Sequence, residues 1–415
     1  MVPDQRNTFN QHFSEHKYGH LLSELNKDFE GAIDFRVAET PVFLDAACNQ
    51  QMLDTCDYII DKIVDSNFTA QTNGAIPANK NVPNQTAHPH FLAFDFGICM
   101  SEQNQPVPQL IEMQGFPSLF GYQVLLDDAM RSAYKIPAPF SAYYSGLTKT
   151  TYLQKLQSII VGNHDPKQVV LLEIKPHTQK TRIDFYATAA FTGVTIVCIT
   201  DVIKEGATLF YKNNADEKIQ IKRIYNRIIF DELDQMPEDI KDAGRLLFEN
   251  INVEWAGHPN WFYRISKYTM PLLQHPNIPA SFYVNELASI PEDLENYVLK
   301  PLFSFAGAGV IIDVVKSDIE NLPDPANWML QKKVNYAPII KTPTSPAKVE
   351  IRLLYLWEDG AARPFPVINI ARLSKGKMIG VRYNQNETWV GGSIAYAASN
   401  SGITNGAGFS NTSHK

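Results

Sequence analysis

The sequence predicts a mixed α/β (α+β) fold of 415 residues, in which two sheet-building regions flank a small open α/β unit. Two observations carry that expectation. Long apolar runs bounded by turn residues, "HFLAFDFGICM", "PQLIEMQG", "KVEIRLLYLWED" and "PFPVINIARL", read as strands. Between residues 151 and 235, helical and strand patterns alternate as in half of an open parallel sheet.

Taken in order, Leu53, Cys56, Ile59, Ile60, Ile63 and Val64 recur at helical spacing and mark an amphipathic helix within 43–67. Residues 69–90, rich in Asn, Pro and Gln, read as a loop. Two adjacent strands follow, "HFLAFDFGICM" and "PQLIEMQG", joined by the hydrophilic turn 101–108. The α/β unit then offers a helix at 153–161, the strand "QVVLLEI", a helix near 181–191 and the strand "VTIVCITDV". A hairpin of "ATLFYKN" with "IQIKRIYNRII", turning at 213–217, ends the unit near Leu233. Helical patterns return at 238–250 and 263–273. The stretch "YVLKPLFSFAGAGVIIDV" reads as strand, glycine turn at 304–309, and strand at 310–315. After it come the strand "NWMLQKKVNY", the Pro-rich loop 338–346 and the two long strands. "GKMIGVRYNQNETWVGGSIA" closes the folded part, and the Gly/Ser/Asn tail 398–415 has nothing to bury.

With 44% hydrophobic and 20% charged residues, the composition is that of a globular protein with a sizeable core. A net charge of −7 without a block of like charges argues against a nucleic-acid partner, so phosphate binding would be local. The start of the sequence carries no apolar leader and no run is long enough to span a membrane, so a cytoplasmic protein without a membrane partner is expected. Cys48, Cys56, Cys99 and Cys198 are scattered without metal spacing and read as buried reduced thiols.

Several polar residues interrupt apolar strands. Asp95 and Glu112 lie on paired strands, and Gln114, two residues on, shares the face of Glu112. Two carboxylates and an amide oxygen suit Mg²⁺, which takes few protein ligands and leaves room for phosphate and water. Taken singly, Asp95 reads rather as a strand-end carboxylate paired with a backbone N–H or an arginine, and Glu112 as a half-exposed edge residue; taken together, two acids on facing apolar strands are costly to bury without a cation. Arg352 and Arg372 sit inside apolar strands and need anionic partners: phosphate oxygens, or Glu350 or another carboxylate. Lys300 enters a glycine turn whose small residues admit a phosphate, although the same pattern fits an ordinary hairpin with a surface lysine.

These residues, in this order, resemble the circularly permuted ATP-grasp ligases of the glutathionylspermidine synthetase type. The most specific stretch is 266–310, where "SKYTMPLL", "HPNIPASFY" and "YVLKPLFSFAGAGV" follow one another. The resemblance implies a circularly permuted ATP-grasp fold. Residues 1–150 would carry the metal-ligand strands, 151–235 a small substrate-side α/β domain, 236–397 the nucleotide-binding region, and 398–415 a flexible tail. It implies ATP and Mg²⁺ as cofactors, with Lys267 and Lys300 on the phosphates and Asp95, Glu112 and Gln114 on the metal. Ser304, Gly307 and Gly309 would form the phosphate turn, and Gln331, Lys333 and Val334 the adenine hinge. Arg352 and Arg372 would act catalytically on the transferring phosphoryl group, with Asn384 or Asn386 near the metal. The chain departs from the family at Gln114, where Asn is usual, and at Phe305 and Ala306, where a charge is common.

The implied activity is a carboxylate–amine ligase that makes an amide through an acyl-phosphate, from a small-molecule or peptide carboxylate and an amine. The acceptor pocket is expected around Glu173–Asp201 and Arg227. Another phosphotransferase, or a nucleotide-binding relative without catalysis, are the alternatives.

Overall fold

The fold is organised by a five-stranded antiparallel sheet whose two halves are distant in sequence. We describe it from a computed structural model covering residues 1–303, 309–376, 379, 384 and 386–398. The strand order is Gly391–Ser393, Phe365–Ser374, Lys348–Leu356, Phe91–Met100, Pro106–Gln114. Phe91–Met100 is buried along its length except at Met100, because both faces of the sheet are covered. On one face Leu92, Phe94, Phe96 and Ile98 join Val349, Ile351, Leu353 and Tyr355, and the helix Ala46–Ile63 lays Cys48, Met52, Cys56, Ile59 and Ile60 on them. That helix starts where the Asp45 side chain accepts from the Cys48 backbone N–H, satisfying one of the donors a helix start leaves open.

The second face changes character along its length. At one end Phe91, Ala93, Leu354, Leu356, Ile368 and Ile370 pack on the α/β unit. At the other end the same face carries Asp95, Glu112, Arg352, Glu350 and Arg372, because alternate residues of a strand share a face. Burying those charges requires that they pair with one another.

The α/β unit holds a four-stranded parallel sheet ordered Glu254–Ala256, Arg223–Asn226, Val169–Glu173, Thr195–Cys198. Helices Lys149–Val161 and Arg182–Thr192 cover one face through Tyr152, Leu156, Ile160 and Phe185. Ile240, Leu246 and Leu247 cover the other. The expected hairpin strand "IQIKRIYNRII" divides at Lys222: Lys218–Ile221 pairs antiparallel with Thr208–Lys212, whereas Arg223–Asn226 crosses into the parallel sheet. The fourth strand, Glu254–Ala256, lies beyond the expected end near Leu233; three residues are too short a run to show a period.

A third sheet orders Ser281–Tyr283, Trp328–Lys332 and Tyr297–Pro301 antiparallel. The strand expected after the Lys300 turn is reduced to a single bridge from Ile311 to Leu299. The helix expected at 263–273 is two pieces, Asn260–Arg264 and the tight turn Lys267–Leu272. Ser266, in extended conformation, separates them, and its side chain accepts from the Tyr268 N–H.

This break lets the Trp261–Ile265 turn lie directly against the end of the Glu112 strand. Gly115 N–H donates to Ile265 O at 2.9 Å, and a Cβ on Gly115 would stand 2.5 Å from Trp261 O. Gly115→Ala should therefore lower the unfolding free energy by about 2 kcal/mol, read from urea denaturation; an unchanged midpoint would contradict this packing.

Candidate functional site

The charged end of the central sheet is built by register. Asp95 stands opposite both Glu112 and Arg352 on its two neighbouring strands, and Glu350 stands opposite Arg372. The guanidinium of Arg352 grips Asp95 with two bonds, Nε to Oδ1 at 2.5 Å and Nη2 to Oδ2 at 2.6 Å. Its remaining Nη1 donates to Ser118 Oγ at 2.8 Å, and Nη2 lies 3.7 Å from Glu112 Oε1. Arg372 Nη2 donates to Asp95 Oδ2 at 3.0 Å and also to Glu350 Oε1. Tyr336 OH completes Glu350 by donating to Oε2 at 2.9 Å. Gly97 makes room for that tyrosine, since a Cβ there would fall 2.7 Å from the ring.

A β-bulge shapes the opposite edge. Asp95 pairs with Glu112 but Phe96 with Leu110, which leaves Ile111 as the extra residue. The Ile111 carbonyl accepts from Lys300 Nζ at 3.3 Å, and Gln331 Oε1 accepts from the same ammonium at 2.6 Å. Gln331 is diagonal to Lys300 across the strand pair, and its amide nitrogen donates to Ser281 Oγ at 3.1 Å on the next strand. Lys300 and Gln331 are both buried. Lys267, also buried, opens the Lys267–Leu272 turn and is attracted by Glu112 and Asp231.

Seven ionisable groups thus act on one another, with Lys267, Lys300, Arg352 and Arg372 against Asp95, Glu112 and Glu350. Asp231, which also attracts Lys267, brings the carboxylates to four against four cations. Burial pushes the Asp95 carboxyl up to about 6 against the pull of its arginines. Burial also works against the Glu112 carboxylate, but Lys267, Arg352, Lys300 and Arg372 together hold it below its ordinary value. Burial lowers Lys300 to about 8, opposed by Glu112 and helped by Lys267.

Of the residues expected from sequence, Asp95, Glu112, Lys267, Lys300, Arg352, Arg372 and Gln331 come together. Gln114 Nε2 donates to Glu112 Oε1 at 3.0 Å while its Oε1 is buried without a partner. Lys333 is turned to the Glu295 carbonyl at 2.6 Å, and Val334 is half-buried beside it. Gly309 takes φ +73°, and a Cβ there would press on the Pro301 ring at 2.9 Å. Ser304, Phe305, Ala306 and Gly307 lie outside the described residues. Asn384 is used within a turn, accepting from Lys375 N–H at 2.9 Å and Gly376 N–H at 3.2 Å, and Asn386 is exposed.

The donor set expected for Mg²⁺ does not fit that ion in this arrangement. Both Asp95 oxygens are taken by guanidiniums, and Gln114 presents its nitrogen rather than its oxygen to Glu112. Among the described residues no group of three or more His, Cys, Asp or Glu side chains could hold a metal ion. Glu350, offered from sequence as a carboxylate partner for the arginines, is engaged by Arg372. Tyr336 is the site residue that sequence reasoning missed, and it left no signal.

A second polar cluster occupies the carboxyl ends of the parallel strands, where strand order reverses about Val169–Glu173. Arg227 donates to Pro117 O, lies 3.8 Å from Asp184 Oδ2 and is flanked by the rings of Phe116 and Phe185. Burial raises Glu173 to about 8, while its own Ile174 N–H and Arg227 pull the other way. Arg227 Nε and Asp184 Oδ2 are buried without a hydrogen-bond partner.

No protein-family model matches the sequence, and no curated protein matches it. The fold is similar to that of a glutathione synthetase-like effector from Globodera pallida, solved in its apo form. The TM-score is 0.58 at 10% identity, covering 92% of this chain and 96% of that one. A candidate gamma-glutamylcysteine synthetase from Methylobacillus flagellatus aligns over 83% of this chain and 86% of its own at 12% identity; its TM-score of 0.35 is too low to establish a common fold. No helix of the described residues is long and apolar enough to cross a membrane. The likeness shows that this chain shares a mixed α+β fold with that effector.

Arg352→Met would strand the Asp95 carboxylate in the sheet with only Arg372 beside it. Chemical denaturation should show a loss of about 3–5 kcal/mol, and a loss below about 1 kcal/mol would contradict the structural weight given to this pair.

Proposed function

We propose that this chain is an ATP-dependent carboxylate–amine ligase of the circularly permuted ATP-grasp kind. The observation that supports it most is the convergence of two buried lysines and two arginines on one face, reached from three separate parts of the chain. Cations in that number are what a triphosphate needs, and burial strengthens each contact. Lys267 and Lys300 would take the inner phosphates, Arg352 and Arg372 the transferring phosphoryl group. Gln331, Lys333, Val334 and the Gly309 turn would border the nucleotide. In the reaction a substrate carboxylate oxygen attacks the terminal phosphorus and ADP leaves; the amine then attacks the acyl carbon and phosphate leaves. The protein's part is to orient the two reactants and offset the developing charge, so no side-chain nucleophile is required. The Glu173 and Arg227 cluster is the proposed acceptor region, its unpartnered donor and acceptor atoms offering contacts to a polar substrate.

One observation favours a relative that binds nucleotide without turnover: Arg352 and Arg372 are already engaged by Asp95 and Glu350. Turnover decides between the two readings. A ligase releases ADP only with both an acid and an amine present, and hydroxylamine in place of the amine traps a hydroxamate. Tight ATP binding with no ADP release across a broad panel would leave the non-catalytic reading standing.

Lys300→Ala should abolish ATP binding measured by calorimetry while circular dichroism stays native; a folded variant that binds ATP normally would overturn the assignment. The same lysine sets a pH dependence. Its pKa is lowered from 10.5 to about 8, so the ammonium is intact below that value and is lost above it. ATP affinity should hold at lower pH and weaken as pH rises through about 8; an affinity that stays constant across that range would contradict the role given to Lys300.

A further inference from the structure

The disagreement between the expected metal ligands and their arrangement points to a different mode of anion binding. In an acidic metal site, carboxylate oxygens converge on one point and leave lone pairs toward it. Here the deepest carboxylate, Asp95, is 1% exposed and turns both oxygens onto guanidiniums. Glu112, next to it, has Arg352 at 3.7 Å and feels Lys267 and Lys300 as well. A divalent cation placed among Asp95, Glu112 and Gln114 would lie near Lys267, Lys300, Arg352 and Arg372, all of its own sign. An oxyanion is opposite in sign to all four, and guanidinium N–H groups that turn from Asp95 and Glu350 suit phosphate oxygens.

We propose that this face takes the oxygens of a polyphosphate directly on Lys267, Lys300, Arg352 and Arg372, without a divalent cation held by Asp95, Glu112 and Gln114. Asp95 is then a positioning residue: its two oxygens hold the Arg352 and Arg372 guanidiniums on the sheet face. The inference rests on the nucleotide-phosphate reading of the same site and deepens it by naming the ligand class, a metal-free polyphosphate.

Calorimetric titration of the full chain with pyrophosphate and with ATP, each in EDTA and in excess Mg²⁺, tests it. Pyrophosphate should bind at least as tightly in EDTA as in Mg²⁺, and Mn²⁺ titrated into the ligand-free protein should stay free by electron paramagnetic resonance. Pyrophosphate binding that weakens by more than about tenfold in EDTA overturns the proposal. So does Mn²⁺ bound in a manner that Glu112→Gln removes, and so does the absence of pyrophosphate binding in both buffers. Pyrophosphate bound in EDTA without any ATP binding supports the anion site while refuting the nucleotide reading, which keeps the two failures distinct. Arg352→Lys adds a readout of positioning. It keeps the charge but loses the fork, and should weaken pyrophosphate binding several-fold in both buffers alike; a loss confined to the Mg²⁺ buffer overturns the proposal.

Discussion

The paired bonds between Arg352 and Asp95 are the constraint on which the site depends. They join the strand Lys348–Leu356 to the strand Phe91–Met100 at the centre of the main sheet, across 257 residues of sequence. A lone charge at that depth would be costly, so each member commits the other. Glu350, Arg372 and Tyr336 follow from the same requirement, because every additional charge on the face must find a partner within reach. The apolar half of that face packs on the α/β unit, and the charged half begins where that packing stops. One sheet therefore both anchors the α/β unit and presents the two arginines.

The lysines reach this face by different physical routes. Lys300 arrives on an antiparallel strand whose diagonal neighbour, Gln331, fixes its ammonium, and the bulge at Ile111 supplies the second acceptor. Lys267 arrives on a tight turn that exists because Ser266 interrupts the preceding helix, while Gly115 lets that helix approach the strand. Removing water from these ammonium groups makes them readier to lose a proton and also stronger partners for an anion.

Much of this was legible in the sequence. Apolar runs bounded by turn residues, each interrupted by a charge, located the Asp95, Glu112, Arg352 and Arg372 positions. The short turn between the first two strands also made Asp95 and Glu112 neighbours, which the register confirms. The choice left open for the arginines, phosphate or carboxylate, is answered for this state by Asp95 and Glu350. What sequence could not show is pairing at long range. Which strand lies beside Phe91–Met100 depends on the whole core, and a bulge, a three-residue strand or the break at Ser266 leaves no periodic trace. Tyr336 reaches Glu350 from a loop, where neither period nor propensity predicts a direction.

The central claim is that phosphate oxygens belong on this face. A crystal structure with a non-hydrolysable ATP analogue tests it most directly. The account predicts analogue phosphates within hydrogen-bonding distance of Lys267 and Lys300, with Arg372 or Arg352 turned toward the terminal phosphate. An analogue bound elsewhere, with all four cations still paired as they are in the free protein, would contradict it.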